Sequence, residues 1–144
     1  MITIKVINKS NYSVPDYATP FSSGIDLFAN IAENVTIKPF QRILIPTGLF
    51  IEIPDGYEAQ IRPRSGLALK HGLTVLNTPG TIDSDYRGEI QVIIINFGNL
   101  DFVVEPGLKI AQMVFSKYEK VEFIEVDKLN DSPRGNGGFG HTGL

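Results

Sequence analysis

IQVIIINF, from Ile90 to Phe97, is the run of residues from which the fold can be read. It is rich in β-branched side chains and apolar at successive positions, so both faces of the segment need cover, as in a central strand. Burial on both faces is easiest inside a sandwich or at a contact between subunits. On either side, short apolar or alternating segments end at Gly, Pro, Asn or Asp, the pattern of an all-β sandwich or barrel. Expected strands are Ile2 to Ile7, Val35 to Lys38, Gly48 to Ile53, Tyr57 to Arg62, Glu89 to Phe97 and Ile110 to Tyr118, and Asp26 should also sit within a strand. Helical period is nearly absent. One helix of about two turns is expected after Arg64, with Ser65 capping its start, LALK as helix formers, Lys70 and His71 at the dipole's negative end and Gly72 as the stop.

The 144 residues suit one domain, long enough to bury about 68% of the surface the unfolded chain would expose. Hydrophobic residues make up 42% and charged residues 20%, which fits a globular chain rather than a disordered one. A net charge of −3 argues against binding duplex nucleic acid, which calls for a basic stripe. There is no cysteine, which removes disulfides and thiolate zinc sites. MITIKVINKS has no apolar run of the length a signal peptide or membrane span needs, and we expect a cytoplasmic protein. The composition changes at NDSPRGNGGFGHTGL. Residues 1–131 are therefore expected to form the β-domain and residues 132–144 a flexible arm rich in glycine.

Four segments carry candidate chemistry, and each has an ordinary alternative. In SGIDLFA, Asp26 lies between Ile25 and Leu27 with no evident partner; a strand-end turn would explain it as well. In RPRSGLALKHG, Arg62, Arg64, Ser65 and Gly66 stand at a helix entrance, where free amides and a guanidinium fork suit phosphate; the alternative is a capped surface helix. NTPGTIDSDYRGEI sets Asn77, Asp83, Asp85, Tyr86 and Arg87 on a tight hairpin that could aim Asp83 into a cavity, or could be solvated turn residues only. RGNGGFGHTG is not a P-loop, since it lacks the GK[ST] ending, yet Phe139 among glycines is a poor choice for a tail with no target.

Taken together with GLKIAQMVF, these segments resemble the five ordered motifs of the trimeric dUTPase family, from Ser23 to Gly143. The resemblance implies a jelly-roll fold and a homotrimer whose sites are shared between subunits. It implies hydrolysis of dUTP to dUMP and pyrophosphate with Mg²⁺, which supplies dUMP for thymidylate synthesis and keeps uracil out of DNA. On this resemblance Asp83 orients and deprotonates the water that attacks the α-phosphorus. Asn77 and the hairpin backbone at Thr81 and Ile82, running towards Gln91, pair with uracil, and Tyr86 packs on the deoxyribose. Arg64, Ser65 and Gly66 contact phosphates. Gln112, Arg134, Gly140, His141 and Thr142 line the triphosphate, and Phe139 covers the base. Asp26 acts on the metal through water. Lys109 and Leu108 depart from the family's frequent arginine and acid. The related dCTP deaminases place a catalytic glutamate at a position that is Ile93 here, so deamination is not expected. A jelly-roll trimer that binds nucleotide without catalysis is the other alternative, and Asp83, Tyr86 and Phe139 together argue against it.

Overall fold

The structure is a computed structural model, and it describes residues 2–138. Eleven short strands and one helix make up the described elements: β1 Lys5–Asn8, β2 Ile25–Phe28, β3 Val35–Ile37, β4 Arg42–Pro46, β5 Leu49–Glu52, β6 Tyr57–Arg62, α1 Ser65–His71, β7 Leu73–Val75, β8 Gly80–Ile82, β9 Gln91–Asn96, β10 Phe102–Val104 and β11 Lys109–Lys117. All pairings are antiparallel. The larger sheet runs β2-β11-β6-β8 and the smaller β4-β9-β7, with β1-β5 and β3-β10 as two-stranded sheets beside them. This is an all-β, jelly-roll-like arrangement. Leu27, Ala59, Ile61, Ala111 and Met113 from the larger sheet meet Ile45, Leu73, Val75, Val92 and Ile94 from the smaller in one buried cluster.

The apolar run from Ile90 to Phe97 lies at the centre, as its composition requires. β9 is the middle strand of its sheet, paired to β4 through Arg42↔Ile95 to Pro46↔Gln91 and to β7 through Leu73↔Asn96 to Val75↔Ile94. Val92, Ile94 and Ile95 are buried, as is Asn96 at the strand's end. Asn96 is one of two buried polar residues among those described, the other being Thr47. Its side-chain amide donates to the carbonyl oxygens of Ile37 and Leu100, both at 2.9 Å, and its Oδ1 accepts from the Gly98 amide at 2.8 Å. Asn96→Leu would strand all three groups at about 1–3 kcal/mol each. We expect a loss of about 3 kcal/mol or more, visible as a lower urea midpoint with an unchanged slope.

The helix forms over seven residues, but its cap differs from expectation. Arg64, not Ser65, is the N-cap residue: its backbone is extended, its carbonyl accepts from the Ala68 amide at 3.0 Å, and no side chain caps the turn. Ser65 already has helical geometry, so its hydroxyl is left for other work. Gly72 ends the helix in the left-handed region at φ 69°, where a Cβ would stand 2.5 Å from the Gly98 amide nitrogen. Only glycine fits both demands. No helix is long and apolar enough to cross a membrane among the described residues. Beyond β11, every residue from Glu119 to Asn136 is exposed, including Val121, Phe123, Ile124, Val126 and Leu129.

Candidate active site

β11 lies between β2 and β6, and its register sets Gln112 opposite Asp26 on one side and Arg62 on the other. Just past β6 the chain turns at Pro63 into α1, which brings Arg64 back over the same row. Asp26, Arg64, Ser65, Gly66 and Gln112 therefore line one open cavity of about 670 Å³, with Phe21, Lys70 and His71 at its edge. Three of the sequence segments thus converge there. Asp26 is not a turn residue. It sits within β2 with its carboxylate mostly buried; Oδ1 accepts from Arg64 Nε at 3.0 Å and Oδ2 from Lys109 Nζ at 2.9 Å. Arg64 also donates from Nη1 to the Lys109 carbonyl oxygen at 3.1 Å, so its guanidinium is held in place at the cavity by two contacts. Lys109, a departure from the resembled motif, is thus a partner of the motif-one carboxylate.

The glycines of this cavity have different reasons. A Cβ at Gly24 would overlap Oε1 of Gln112, whose Nε2 donates to the Pro63 carbonyl oxygen at 2.9 Å. Gly24 therefore makes room for the glutamine, a role its place in the sequence did not reveal. A Cβ at Gly66 would meet no protein atom within 4 Å, so the fold itself does not demand glycine there. Close approach by a ligand would. The first amides of a helix have no carbonyl partner within it, and Ser65 and Gly66, in the first turn of α1, line the cavity. Arg62 takes no part: its guanidinium turns along β6 to Gln60 Oε1 at 2.7 and 3.2 Å.

The other candidate group stands on the hairpin around β8. Asn77 and Tyr86 are exposed, as are Thr81, Asp83 and Gln91, while Ile82 is half-buried. A cis bond joins Thr78 and Pro79, and the Tyr86 amide donates to the Asp83 carbonyl oxygen at 3.1 Å, closing the turn. Arg87 Nη1 fixes the turn from outside, donating to the carbonyl oxygens of Ser84 at 2.7 Å and Tyr86 at 2.9 Å. Among the described residues the Asp83 carboxylate has no ion pair or side-chain hydrogen bond. β8 pairs with β6 through Ile82↔Ala59, which puts Asp83 level with Glu58, four residues along β6 from Arg62 and three strand spacings from Asp26. At about 3.4 Å per residue and 4.8 Å per strand, the backbones of the two residues are roughly 20 Å apart along the sheet. One chain does not bring them to one cavity.

Arg134 lies in a local turn, where its Nε donates to the Gly137 carbonyl oxygen at 2.8 Å and its side chain is exposed. Phe139, Gly140, His141 and Thr142 lie outside the described residues.

The sequence profile of the dUTPase family matches residues 10–143, nearly the whole chain. The chain belongs to the dUTPase family. It is 54% identical to the deoxyuridine 5'-triphosphate nucleotidohydrolase of Fusobacterium nucleatum over 142 residues, covering 99% of this chain and 97% of that protein. It is likewise 54% identical to the enzyme of that name from Finegoldia magna, covering 97% and 98%. Among solved structures it resembles the dUTPase of Staphylococcus bacteriophage 80alpha with dUpNHpp, at TM-score 0.89, 25% identity and full coverage of both chains. The family's metal can be tested against the cavity. Among the described residues no three His, Asp or Glu side chains form a cluster able to hold an ion. Mg²⁺ often takes only one or two carboxylates, with waters and substrate phosphates completing its shell. Asp26 fits such an outer position, on an ion that arrives with the triphosphate of a dUTPase substrate.

Proposed function

We propose that the chain hydrolyses dUTP to dUMP and pyrophosphate at sites built from more than one copy of itself, as a cytoplasmic homotrimer. The observation that carries this reading is the separation of the two groups. Arg64, Ser65, Gly66, Gln112 and Asp26 share one cavity, whereas Asn77, Asp83 and Tyr86 stand on a hairpin roughly 20 Å along the sheet from Asp26. A triphosphate held at the cavity of one chain meets the hairpin of another. The exposed apolar side chains between Val121 and Leu129 support such contact, since runs of this kind are rarely left to solvent.

In this arrangement Arg64 and the amides of Ser65 and Gly66 hold phosphoryl oxygens, with Gln112 beside them. Asn77 and the backbone at Thr81 and Ile82, with Gln91 beyond, accept the uracil edge by hydrogen bonds that cytosine would leave unpaired, the stronger kind of discrimination. Tyr86 packs on the deoxyribose where a 2'-hydroxyl would collide. Asp83 takes a proton from water as its oxygen bonds to the α-phosphorus, and the bond from that phosphorus to the bridging oxygen breaks to release pyrophosphate. Mg²⁺ bound to the triphosphate supplies charge neutralisation on the phosphoryl oxygens. Arg134, Phe139, Gly140, His141 and Thr142 close over the nucleotide, the phenylalanine on the base. The dUMP formed feeds thymidylate synthesis, and the dUTP removed keeps uracil out of DNA.

The test is to offer dUTP, dCTP, dTTP and UTP with Mg²⁺ and to identify products, while sedimentation gives the mass in solution. Pyrophosphate and dUMP from dUTP alone, by a particle of three chains, are expected. Inert dUTP, or full activity from a single chain, would overturn the reading.

A further inference from the structure

Tyr86 does not stand free on its hairpin. Its phenol folds back and donates to the Glu89 carbonyl oxygen at 2.9 Å. To do so the ring passes over Gly88, where a Cβ would overlap the hydroxyl oxygen and stand 2.5 Å from Cζ and 2.9 Å from Cε2. Gly88 is not among the residues with positive φ, so its backbone is open to any amino acid. The demand for glycine comes from the ring.

The carbonyl that receives the phenol is itself tied down. Oε1 of Glu89 accepts from the Gly48 amide at 2.7 Å, in the turn between β4 and β5. The next residues are tied there too: buried Thr47 donates from Oγ1 to the Ile90 carbonyl oxygen at 2.6 Å, and the Ile90 amide donates to the Leu49 carbonyl oxygen at 2.8 Å. The tyrosine is therefore referred to the core through a short path: phenol, Glu89 backbone, Glu89 carboxylate, Gly48.

We infer that Gly88 and Glu89 set the choice of sugar at this site: Gly88 by leaving the space into which the Tyr86 ring folds, Glu89 by latching the ring's acceptor to the β4–β5 turn. Both are positioning residues, acting through Tyr86 on a 2'-deoxyribonucleotide. The inference rests on the proposal that Tyr86 packs on the sugar, and the experiment separates the two. Specificity constants for dUTP and UTP are measured in the full chain for Gly88→Ala, Glu89→Ala, Glu89→Gln and Tyr86→Ala, each with its thermal midpoint. Gly88→Ala should narrow the dUTP to UTP ratio by ~10-fold or more, the size of effect that one methyl produces in a pocket. Glu89→Ala should narrow it as well, and Glu89→Gln, which keeps an acceptor oxygen for the Gly48 amide, should restore it. A Tyr86→Ala protein with the parent ratio would overturn the sugar-wall reading. If Tyr86→Ala narrows the ratio but Gly88→Ala folds and keeps it, only the present inference is lost. Should Gly88→Ala not fold, the glutamate pair decides. Rescue by glutamine sustains the inference, and a shifted midpoint with an unchanged ratio in Glu89→Ala overturns it.

Discussion

Asp83→Asn is expected to lower kcat for dUTP by about 10² to 10⁴, the usual contribution of a positioned general base, while the affinity for a non-hydrolysable dUTP analogue stays near that of the parent. The structure makes this substitution clean. The turn around Asp83 is closed by its backbone oxygen, which accepts from the Tyr86 amide at 3.1 Å, and by Arg87 from outside. The carboxylate itself is exposed and, among the described residues, holds no other side chain. A carboxamide of the same shape therefore leaves the hairpin as it is. It removes the group proposed to take the proton. Single-turnover rates isolate the chemical step from product release, and a variant within a few-fold of the parent would show that the base is another residue.

Arg64 should show the second large effect, because it is the guanidinium that the fold presents to the cavity. Its Nε and Nη1 already meet Asp26 and the Lys109 carbonyl oxygen, which holds the fork in place before a ligand arrives. Two charge-assisted bonds to phosphate at about 1.5–3 kcal/mol each would be lost in Arg64→Ala, a fall of roughly 10² to 10⁴ in kcat/KM. Arg64→Lys keeps the charge and loses the planar fork, so it should recover only part of that loss. Steady-state kinetics on the two variants measures this. If lysine restores the parent value, a point charge suffices and geometry at Arg64 is unimportant.

The central strand was legible because a run of branched apolar residues longer than any turn has few places to go, and the helix because Lys70, His71 and Gly72 mark its end. β4, β7, β8 and β10 were not foreseen as strands. LTV, GTI and FVV are three residues each, too short to show a period, and RILIP ends on a proline that reads as a turn. Their strand character comes from their neighbours across the sheet. The site was legible as an ordered set of motifs, which is a property of the chain's text. Its contacts were not: Asp26 meets Arg64 and Lys109 through the register of β2, β11 and β6, and no local pattern encodes that register. Gly24 and Gly88 look in the sequence like any turn glycine, whereas each makes room for a particular side chain, Gln112 and Tyr86.

Ionic strength acts on this cavity less than its cations suggest. Arg64 and Lys109 do not wait as bare charges wrapped in chloride, since a shared carboxylate that is only 19% exposed already neutralises part of both. On the proposed reading, an arriving triphosphate meets a guanidinium that Asp26 already holds, instead of stripping mobile counterions from an open surface. Pairs held partly out of water are screened less than exposed ones, so the Asp26–Arg64 pair responds less to salt than a fully exposed pair would. On that reading, grip on a highly charged nucleotide should fall less with rising salt than two bare surface cations would make it.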